Sequence, residues 1–211
     1  NSTTTLAKAD DVVTLTFTSP ETITEPVVTF QSGGAAITDT SVSYANTSGN
    51  TWTAAYTVNA SDTPGAVTFS VAFSDTAGNA GTEVTSGSGS VVVDSTAPTM
   101  TIAAAEITDG GTSNDGTLSL TFTASEATTD FAVGDISVTN GELSNFGTTS
   151  STVYTATFTP SSDGATTIDV ASSTFTDAVG NNNTAATQFN WTYDSTAPTM
   201  TIAAAEITDG G

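Results

Sequence analysis

Carboxylates are the main side chains of this chain that could carry out chemistry. Asp and Glu together number 22 in 211 residues, against one cationic side chain, Lys8, and no His or Cys, so that the net charge is -21. Without His or Cys there is no Ser-His-Asp triad, no Cys-His pair and no zinc or haem site of the usual ligands. Carboxylate and amide oxygens are the ligands that Ca2+ takes, roughly six to eight at a time. Binding of a hard cation is therefore the chemistry to expect.

The charge balance also excludes whole classes of partner. Nucleic acids and anionic membrane surfaces are recognised by clusters of Lys and Arg, which one Lys cannot form. No apolar run approaches the ~18 residues of a membrane span, so we expect no direct membrane insertion. Glycoside hydrolysis by paired carboxylates, such as Asp10 with Asp11 or Asp130 with Asp135, would need an apolar pocket that raises one pKa. The short loops offer no such cleft, and we expect no enzyme.

An internal repeat organises the chain. The segment 94–111, DSTAPTMTIAAAEITDGG, recurs unchanged at 194–211, an offset of 100 residues, and FSDTAGNAG at 73–81 resembles FTDAVGNNN at 175–183. Such self-similarity is the signature of tandem duplication. It predicts a first domain over 1–93 with a truncated first strand, a second over 94–193, and 194–211 as the first strand of a third, incomplete repeat. We expect the chain to be a window on a longer array.

Each unit alternates apolar residues with Thr and Ser, which is the period of half-buried strands. Val13, Leu15 and Phe17 share one face of a predicted strand, and residues 118–122 repeat the pattern in the second unit. Turn sequences such as 48–50 separate the runs. About seven short strands in ~100 residues is the size of an immunoglobulin-like β-sandwich. The predicted fold class is all-β, with tandem immunoglobulin-like sandwiches in a linear array.

Three short motifs carry a resemblance to a known family. They are the DSTAPT opening at 94–99, the SPE or ASEA motif after the second strand (19–21 and 124–127) and the D-x-x-G-N turn (75–79 and 177–181). Over nearly its whole length the chain resembles the bacterial Ig-like repeats of giant surface adhesins, including biofilm-associated and RTX-type adhesins. The resemblance implies extender modules of a bacterial extracellular or cell-surface protein, many of which bind Ca2+ at the junctions between domains.

The carboxylates concentrate in loops that such a sandwich brings to its poles. The linker into a domain, the loop after its second strand and the loop before its last strand share one pole. The candidate Ca2+ ligands at the first junction are the polar residues of these loops and of the preceding unit's opposite pole: Asp94, Glu126, Asp177, Asn181, Asp10, Asp11 and Asp62. Equivalent candidates in the first unit are Glu21, Asp75 and Asn79, and those at the second junction are Asp109, Asp115, Asp163 and Asp194. A solvated acidic surface with turn-capping Asp side chains is the alternative.

The leading functional hypothesis is a structural spacer of a surface adhesin, whose partners are the neighbouring repeats of the same chain. One alternative is a self-assembling extracellular fibre or surface-layer subunit, in which edge strands of separate copies pair and residues 200–207 offer a free strand for donation. Another is a glycan- or partner-binding module, for which 130–146 is the candidate region because it differs most from the first unit. Six aromatic side chains are expected in the core rather than at a binding surface: Trp52, Tyr56, Tyr154, Phe158, Trp191 and Tyr193.

Overall fold

The computed structural model of the protein describes residues 5–203. Within that range the regular structure is β-strand, apart from a short 3-10 turn at Val133–Asp135, and no helix has the length and apolar character of a membrane span. The Thr-rich alternation of the sequence explains this outcome, since β-branched residues pack well on a pleated surface. The all-β prediction is confirmed.

Two antiparallel-rich sheets form the first repeat. Its strands are β1 (Leu6–Ala7), β2 (Val12–Thr18), β3 (Val27–Ser32), β4 (Ala35–Ala36), β5 (Ser43–Ser48), β6 (Thr51–Thr57), β7 (Gly65–Ala72) and β8 (Val92–Val93). One sheet has the order β1-β8-β7-β3-β4 and the other β2-β6-β5. Both sheets send apolar side chains into one buried cluster, in which the rings of Phe30 and Tyr56 lie 4.9 Å apart between centroids. This is the core of a β-sandwich.

The second repeat has a similar plan, with four strands in each of its two sheets. Its strands are β9 (Met100–Ala104), β10 (Gly111–Ser113), β11 (Leu118–Ala124), β12 (Ile136–Thr139), β13 (Gly141–Thr148), β14 (Val153–Pro160), β15 (Gly164–Val170) and β16 (Phe189–Tyr193). The sheets have the orders β13-β14-β11-β9 and β10-β16-β15-β12. Phe158 of β14 and Trp191 of β16 meet edge to face, with ring centroids 6.3 Å apart. Four of the six aromatic side chains predicted in the core are buried, namely Tyr56, Tyr154, Phe158 and Trp191, whereas Trp52 and Tyr193 are half-buried.

The chain divides into two compact units that do not follow the repeat boundaries strictly. The first unit comprises Asn1–Met100 together with Ala124–Phe131 and Ala171–Ala185; the second comprises Thr101–Thr123, Ala132–Val170 and Ala186–Gly211. Two loops of the second repeat therefore belong to the first unit. These are the loops that carry Glu126 and Asp177, so the candidate ligands of the first junction lie within a single unit.

The opening segment of the predicted third repeat is described only as far as residue 203. Met200 and Ile202 are 85% and 84% exposed, and residues 194–203 form no strand. The remainder of the predicted free strand, residues 204–207, lies outside the described residues.

Candidate metal centre

Asp177 is a buried carboxylate at the start of a tight turn. Its Oδ1 accepts hydrogen bonds from the backbone N–H groups of Val179 at 2.8 Å, Gly180 at 2.7 Å and Asn181 at 2.9 Å. Its Oδ2 accepts a fourth from Asn181 Nδ2 at 2.8 Å. Gly180 has a φ of 95°, in the region where side chains other than glycine are strained. These donors allow a carboxylate to remain in a position that is 6% exposed.

Asn181 and Asp94 tie this turn to the linker between the repeats. The same Asn181 Nδ2 donates to the backbone oxygen of Asp94 at 3.0 Å, and the Asp94 N–H donates to Ala7 O at 2.8 Å. Lys8 follows Ala7, and its alkyl stem lies against the turn. A Cβ placed on Gly180 would be 3.4 Å from Lys8 Cε. The linker is thus held from both sides by main-chain and amide contacts.

Glu126 completes a cluster of three carboxylates. One oxygen each from Asp94, Glu126 and Asp177 lie within 4.8 Å of one another, and this is the one such group of three among residues 5–203. Burial raises the pKa of Glu126, and the negative charges of Asp177 and Asp94 raise it further. Like charges at this spacing repel each other, and the repulsion is stronger where burial keeps water away. Binding of a cation or a proton therefore stabilises the cluster, because it reduces the repulsion between the three carboxylates.

The donor set fits a hard cation. All the side-chain donors are carboxylate or amide oxygens, which suit Ca2+ rather than the softer transition metals. Asp177 Oδ1 already accepts three N–H groups and Oδ2 only one, so Oδ2 and the carboxylates of Asp94 and Glu126 have the acceptor capacity left for an ion. Three carboxylates are fewer ligands than Ca2+ takes, so main-chain oxygens or water would supply the rest.

The equivalent turn of the first repeat has similar bonds, with one fewer backbone N–H on the carboxylate, and lacks the cluster. Asp75 Oδ1 accepts the N–H groups of Ala77 at 2.9 Å and Asn79 at 2.8 Å, and Oδ2 accepts Asn79 Nδ2 at 2.7 Å. The Asn79 side chain contributes most to lowering the pKa of Asp75. Glu21 is exposed, and in the described part of the chain no group of three carboxylates forms around this turn.

The candidate ligands from the opposite pole of the first repeat make local contacts outside the cluster. Asp62 is buried, and its carboxylate accepts the N–H groups of Thr38 at 2.7 Å and Asn59 at 2.9 Å. Burial alone would raise the pKa of Asp62, but these hydrogen bonds outweigh it and the pKa is lowered. Asp11 and the exposed Asp10 occupy the turn before β2, and neither belongs to the three-carboxylate cluster among the described residues.

The candidates at the second junction also hold separate local structures. Asp163 accepts hydrogen bonds from the Ser195 N–H at 2.9 Å and from the hydroxyl groups of Ser195 and Thr196. These bonds lower the pKa of Asp163, and the Thr196 hydroxyl contributes most. The other three cap neighbouring turns or strand ends through single partners: Asp109 through Asn190, Asp115 through Ser113, and Asp194 through Thr196. Over residues 5–203 these four carboxylates form no cluster like that of Glu126.

Asp130 is a positioning residue that the sequence does not single out for this purpose. Its carboxylate accepts the Thr176 N–H at 3.0 Å and the Thr176 hydroxyl at 2.8 Å, directly before Asp177. The rings of Phe131 and Phe175 pack beside it with centroids 5.2 Å apart. This joins the two loops that bear Glu126 and Asp177. The start of the region 130–146 is therefore occupied by contacts within the chain. Asp130 comes directly before the buried Phe131, and that position is the sequence signal that could have indicated an internal role.

Comparisons with known proteins address the fold of the chain. No curated protein sequence matches it. Among solved structures it is similar to InvD of Yersinia pseudotuberculosis, with 21% identity over 92% of this chain and 58% of that one and a TM-score of 0.37. It is also similar to the I9-I11 tandem from titin, with 10% identity over 91% and 62% of the two chains and a TM-score of 0.42. The chain thus spans about three fifths of these structures, at 58% and 62%.

A family profile matches the second repeat along its whole length. The family is the bacterial Ig-like domain, and the match covers residues 94–193. Domains of this family are typically structural or binding modules on the outside of the cell. The opening DSTAPT segment, the Glu126 loop and the Asp177 turn all fall inside the matched range. Residues 94–193 of the chain are thus similar to the bacterial Ig-like domain.

Proposed function

We propose that this chain is an extender segment of a large extracellular bacterial surface protein, an adhesin stalk whose junction before the second repeat is stiffened by Ca2+. The observation that carries the proposal is the cluster of Asp94, Glu126 and Asp177 around one point. Asp94 belongs to the linker between the repeats, whereas Glu126 and Asp177 belong to loops of the second repeat. A cation held by one ligand from the linker and two from the following repeat would tie the linker to that repeat.

The mechanism is mechanical. Asp94, Glu126 and Asp177 would hold Ca2+. The ion would supply positive charge to a chain that has one cationic side chain. Asn181 fixes the linker backbone by donating to the Asp94 oxygen, so the ligand from the linker is already in place. With the carboxylates neutralised, bending of the linker would cost free energy because it would remove a ligand. Repeats with their own cores would then add length, each contributing its stability and that of its interface.

A cation titration with matched variants tests the proposal. Millimolar Ca2+ should raise the melting temperature of the 211-residue chain more than Mg2+ does at equal ionic strength, because Mg2+ demands a stricter octahedral geometry. At a concentration one hundred times the Kd, a ligand that binds only the folded state adds about 2.7 kcal/mol. Glu126→Gln should remove most of the Ca2+ response, and Glu21→Gln, its counterpart in the first repeat, should leave it intact.

The same samples report on stiffness through small-angle X-ray scattering. We expect Ca2+ to narrow the distribution of dimensions in the unaltered protein and in Glu21→Gln, but not in Glu126→Gln. Equal responses of melting and scattering to Ca2+ and Mg2+ would leave only general charge screening. A Ca2+ response that survives in Glu126→Gln would place the ion elsewhere.

A further inference from the structure

Lys8 is the one cationic side chain of the 211-residue sequence, and it lies beside the turn that bears Asp177. A Cβ placed on Gly180 would be 3.4 Å from Lys8 Cε and 3.8 Å from Lys8 Cδ. The Gly180 N–H donates to Asp177 Oδ1 at 2.7 Å. The outer part of the lysine stem therefore packs on the residue that helps to hold the buried carboxylate of the three-carboxylate cluster.

The strand pairing of the first repeat also places Lys8 beside Asp94. Strands β1 and β8 are parallel, with Ala7 opposite Val93. The Asp94 N–H continues this ladder by donating to Ala7 O at 2.8 Å. Lys8 and Asp94 are therefore the next residues of the two paired segments. Opposite charges at neighbouring positions of paired segments attract each other.

The main chain of Lys8 is fixed by its own turn. Its N–H donates to Asp11 Oδ2 at 3.0 Å, and its carbonyl oxygen accepts the Asp11 N–H at 3.1 Å. Lys8 is half-buried, with its backbone held at one end and its stem packed on Gly180 at the other. These contacts keep the ammonium group near the Asp177 turn, which raises its effective concentration there.

The equivalent position of the second repeat has neither the cation nor the cluster. The bond from the Asp194 N–H to Ser113 O, at 3.0 Å, is the equivalent of the bond that reaches Ala7. Asn114 therefore corresponds to Lys8. Over residues 5–203 Asp194 belongs to no group of three carboxylates. Within that range the single cation of the chain thus stands at the junction whose carboxylates are clustered.

We propose that Lys8 is the counter-cation that the chain itself supplies to the three-carboxylate cluster, and that a divalent cation displaces it. Three carboxylates within 4.8 Å repel one another, so a positive charge nearby lowers the free energy of the cluster. Ammonium and Ca2+ act through the same attraction, and occupation by both would bring like charges together. Lys8 therefore holds the linker to the second repeat in the metal-free protein and weakens the binding of Ca2+. The effect on Ca2+ rests on the proposed function, whereas the effect on the metal-free protein does not.

Asp10 and Asp11 are the other carboxylates of the turn that bears Lys8, and they define the competing arrangement. Asp10 is exposed, and one oxygen of Asp11 already accepts the Lys8 N–H. An ammonium group that paired with either of them would stabilise the turn before β2 alone. It would not respond to Ca2+ at the cluster.

Thermal melting in metal-free buffer of low ionic strength tests the pairing. Lys8→Met keeps an unbranched stem to pack on Gly180 but removes the charge, so it should lower the melting temperature, and added NaCl should shrink the difference. Lys8→Arg keeps the charge and should retain the melting temperature of the unaltered protein. Asn114 is exposed, and Asn114→Met, the matched change in the second repeat, should have no effect. A Lys8→Met variant that melts with the unaltered protein overturns the inference.

Calorimetric titration with Ca2+ tests the displacement. Lys8→Met should bind Ca2+ at least about twofold more tightly than the unaltered protein, since exposed ion pairs are worth this much. Lys8→Arg should bind as the unaltered protein does. A lower melting temperature of Lys8→Met with an unchanged Ca2+ affinity would assign the ammonium group to Asp10 or Asp11 and would overturn the displacement. If no variant bound Ca2+, the proposed Ca2+ site and the displacement would both fail, while the melting difference would still decide the pairing.

The single lysine also permits a direct observation by NMR. Protein labelled with 13C-lysine gives one Cε resonance, that of Lys8. This resonance should shift as Ca2+ is added and should reach its end point at the same Ca2+ concentration as the heat of binding. The shift should be absent from Glu126→Gln. A Cε resonance that does not change while calorimetry records Ca2+ binding contradicts the displacement.

Discussion

The turns that begin at Asp75 and at Asp177 have the same local structure and different surroundings. In both, the aspartate carboxylate accepts backbone N–H groups from the turn and the amide of the Asn four residues later. In both, the glycine of the motif has a positive φ, 93° at Gly78 and 95° at Gly180. Yet Asp75 is partly accessible, whereas Asp177 is 6% exposed and faces two further carboxylates.

The difference shows that the D-x-x-G-N motif specifies a turn and does not by itself specify a cation site. Cation chemistry arises at Asp177 because Asp94 arrives from the linker and Glu126 from the loop after β11. At Asp75 the corresponding Glu21 is exposed, and the described residues supply no third carboxylate. Substitutions at equivalent positions can separate the contribution of the turn from that of the cluster.

Removing the aspartate carboxylate should have the largest effect, and it should differ between the turns. Asp177→Ala leaves one buried and two half-buried backbone N–H groups without their carboxylate acceptor, and we expect a loss of about 3 kcal/mol in the unfolding free energy of the second repeat. Asp75→Ala should cost much less, because water can reach that turn. Urea denaturation followed by tryptophan emission measures the two losses separately when Trp191 is the one emitter, in a Trp52→Phe background, for the second repeat, and Trp52 the one emitter, in a Trp191→Phe background, for the first. Equal losses would mean that burial does not distinguish the turns.

The glycine of each turn should show a smaller and equal effect. Gly78→Ala and Gly180→Ala both force a side chain into a left-handed backbone, which costs about 1–2 kcal/mol. A Cβ at Gly78 would meet nothing within 4 Å, and one at Gly180 would meet Lys8 Cε at an ordinary 3.4 Å. The same denaturation curves should therefore shift by similar amounts in both variants. A much larger loss at Gly180 would show that the Lys8 stem cannot yield.

The sequence predicts the fold and the core of the cluster because both depend on short-range regularities. Alternation places Leu118, Leu120 and Phe122 on one buried face, and the repeat places Asp94 and Asp177 in loops at one pole. Which carboxylates join the cluster is decided by loop conformations that alternation does not encode. Asp62 has the right type and a junction position, but its oxygens are taken by Thr38 and Asn59.

The burial of strand β2, which among residues 5–203 has no neighbour on the edge that β9 covers on β11, illustrates the other limit of sequence reasoning. Leu15 and Phe17 follow the same alternation as Leu120 and Phe122, and their sequence pattern predicts equal burial. The structure shows them less buried, because burial at a sheet edge depends on the neighbouring strand rather than on the strand itself.

The smallest expected effect is a pH dependence of opposite sign at the two turns. The pKa of Glu126 is raised from its ordinary 4.5, so the folded state holds this proton more tightly than the unfolded state. In metal-free buffer, stability should therefore fall as pH rises from about 4.5 through the raised pKa. Glu126→Gln cannot ionise and should lack this decrease. The pKa of Asp75 is lowered from 3.8, so its contribution is present above 3.8 and is lost as pH falls through the lowered pKa.

Difference curves measure this contrast directly. The unfolding free energy of the unaltered protein minus that of Glu126→Gln should decrease with rising pH above 4.5, and the same difference for Asp75→Asn should increase with rising pH below 3.8. Both changes should be smaller than the losses expected at the glycines, since solvent screens both carboxylates. Asp94→Asn removes one of the charges that raise the pKa of Glu126 and should shrink the first slope only. If that slope is unchanged in Asp94→Asn, burial alone raises the pKa, and the three carboxylates are neighbours without being electrostatically coupled.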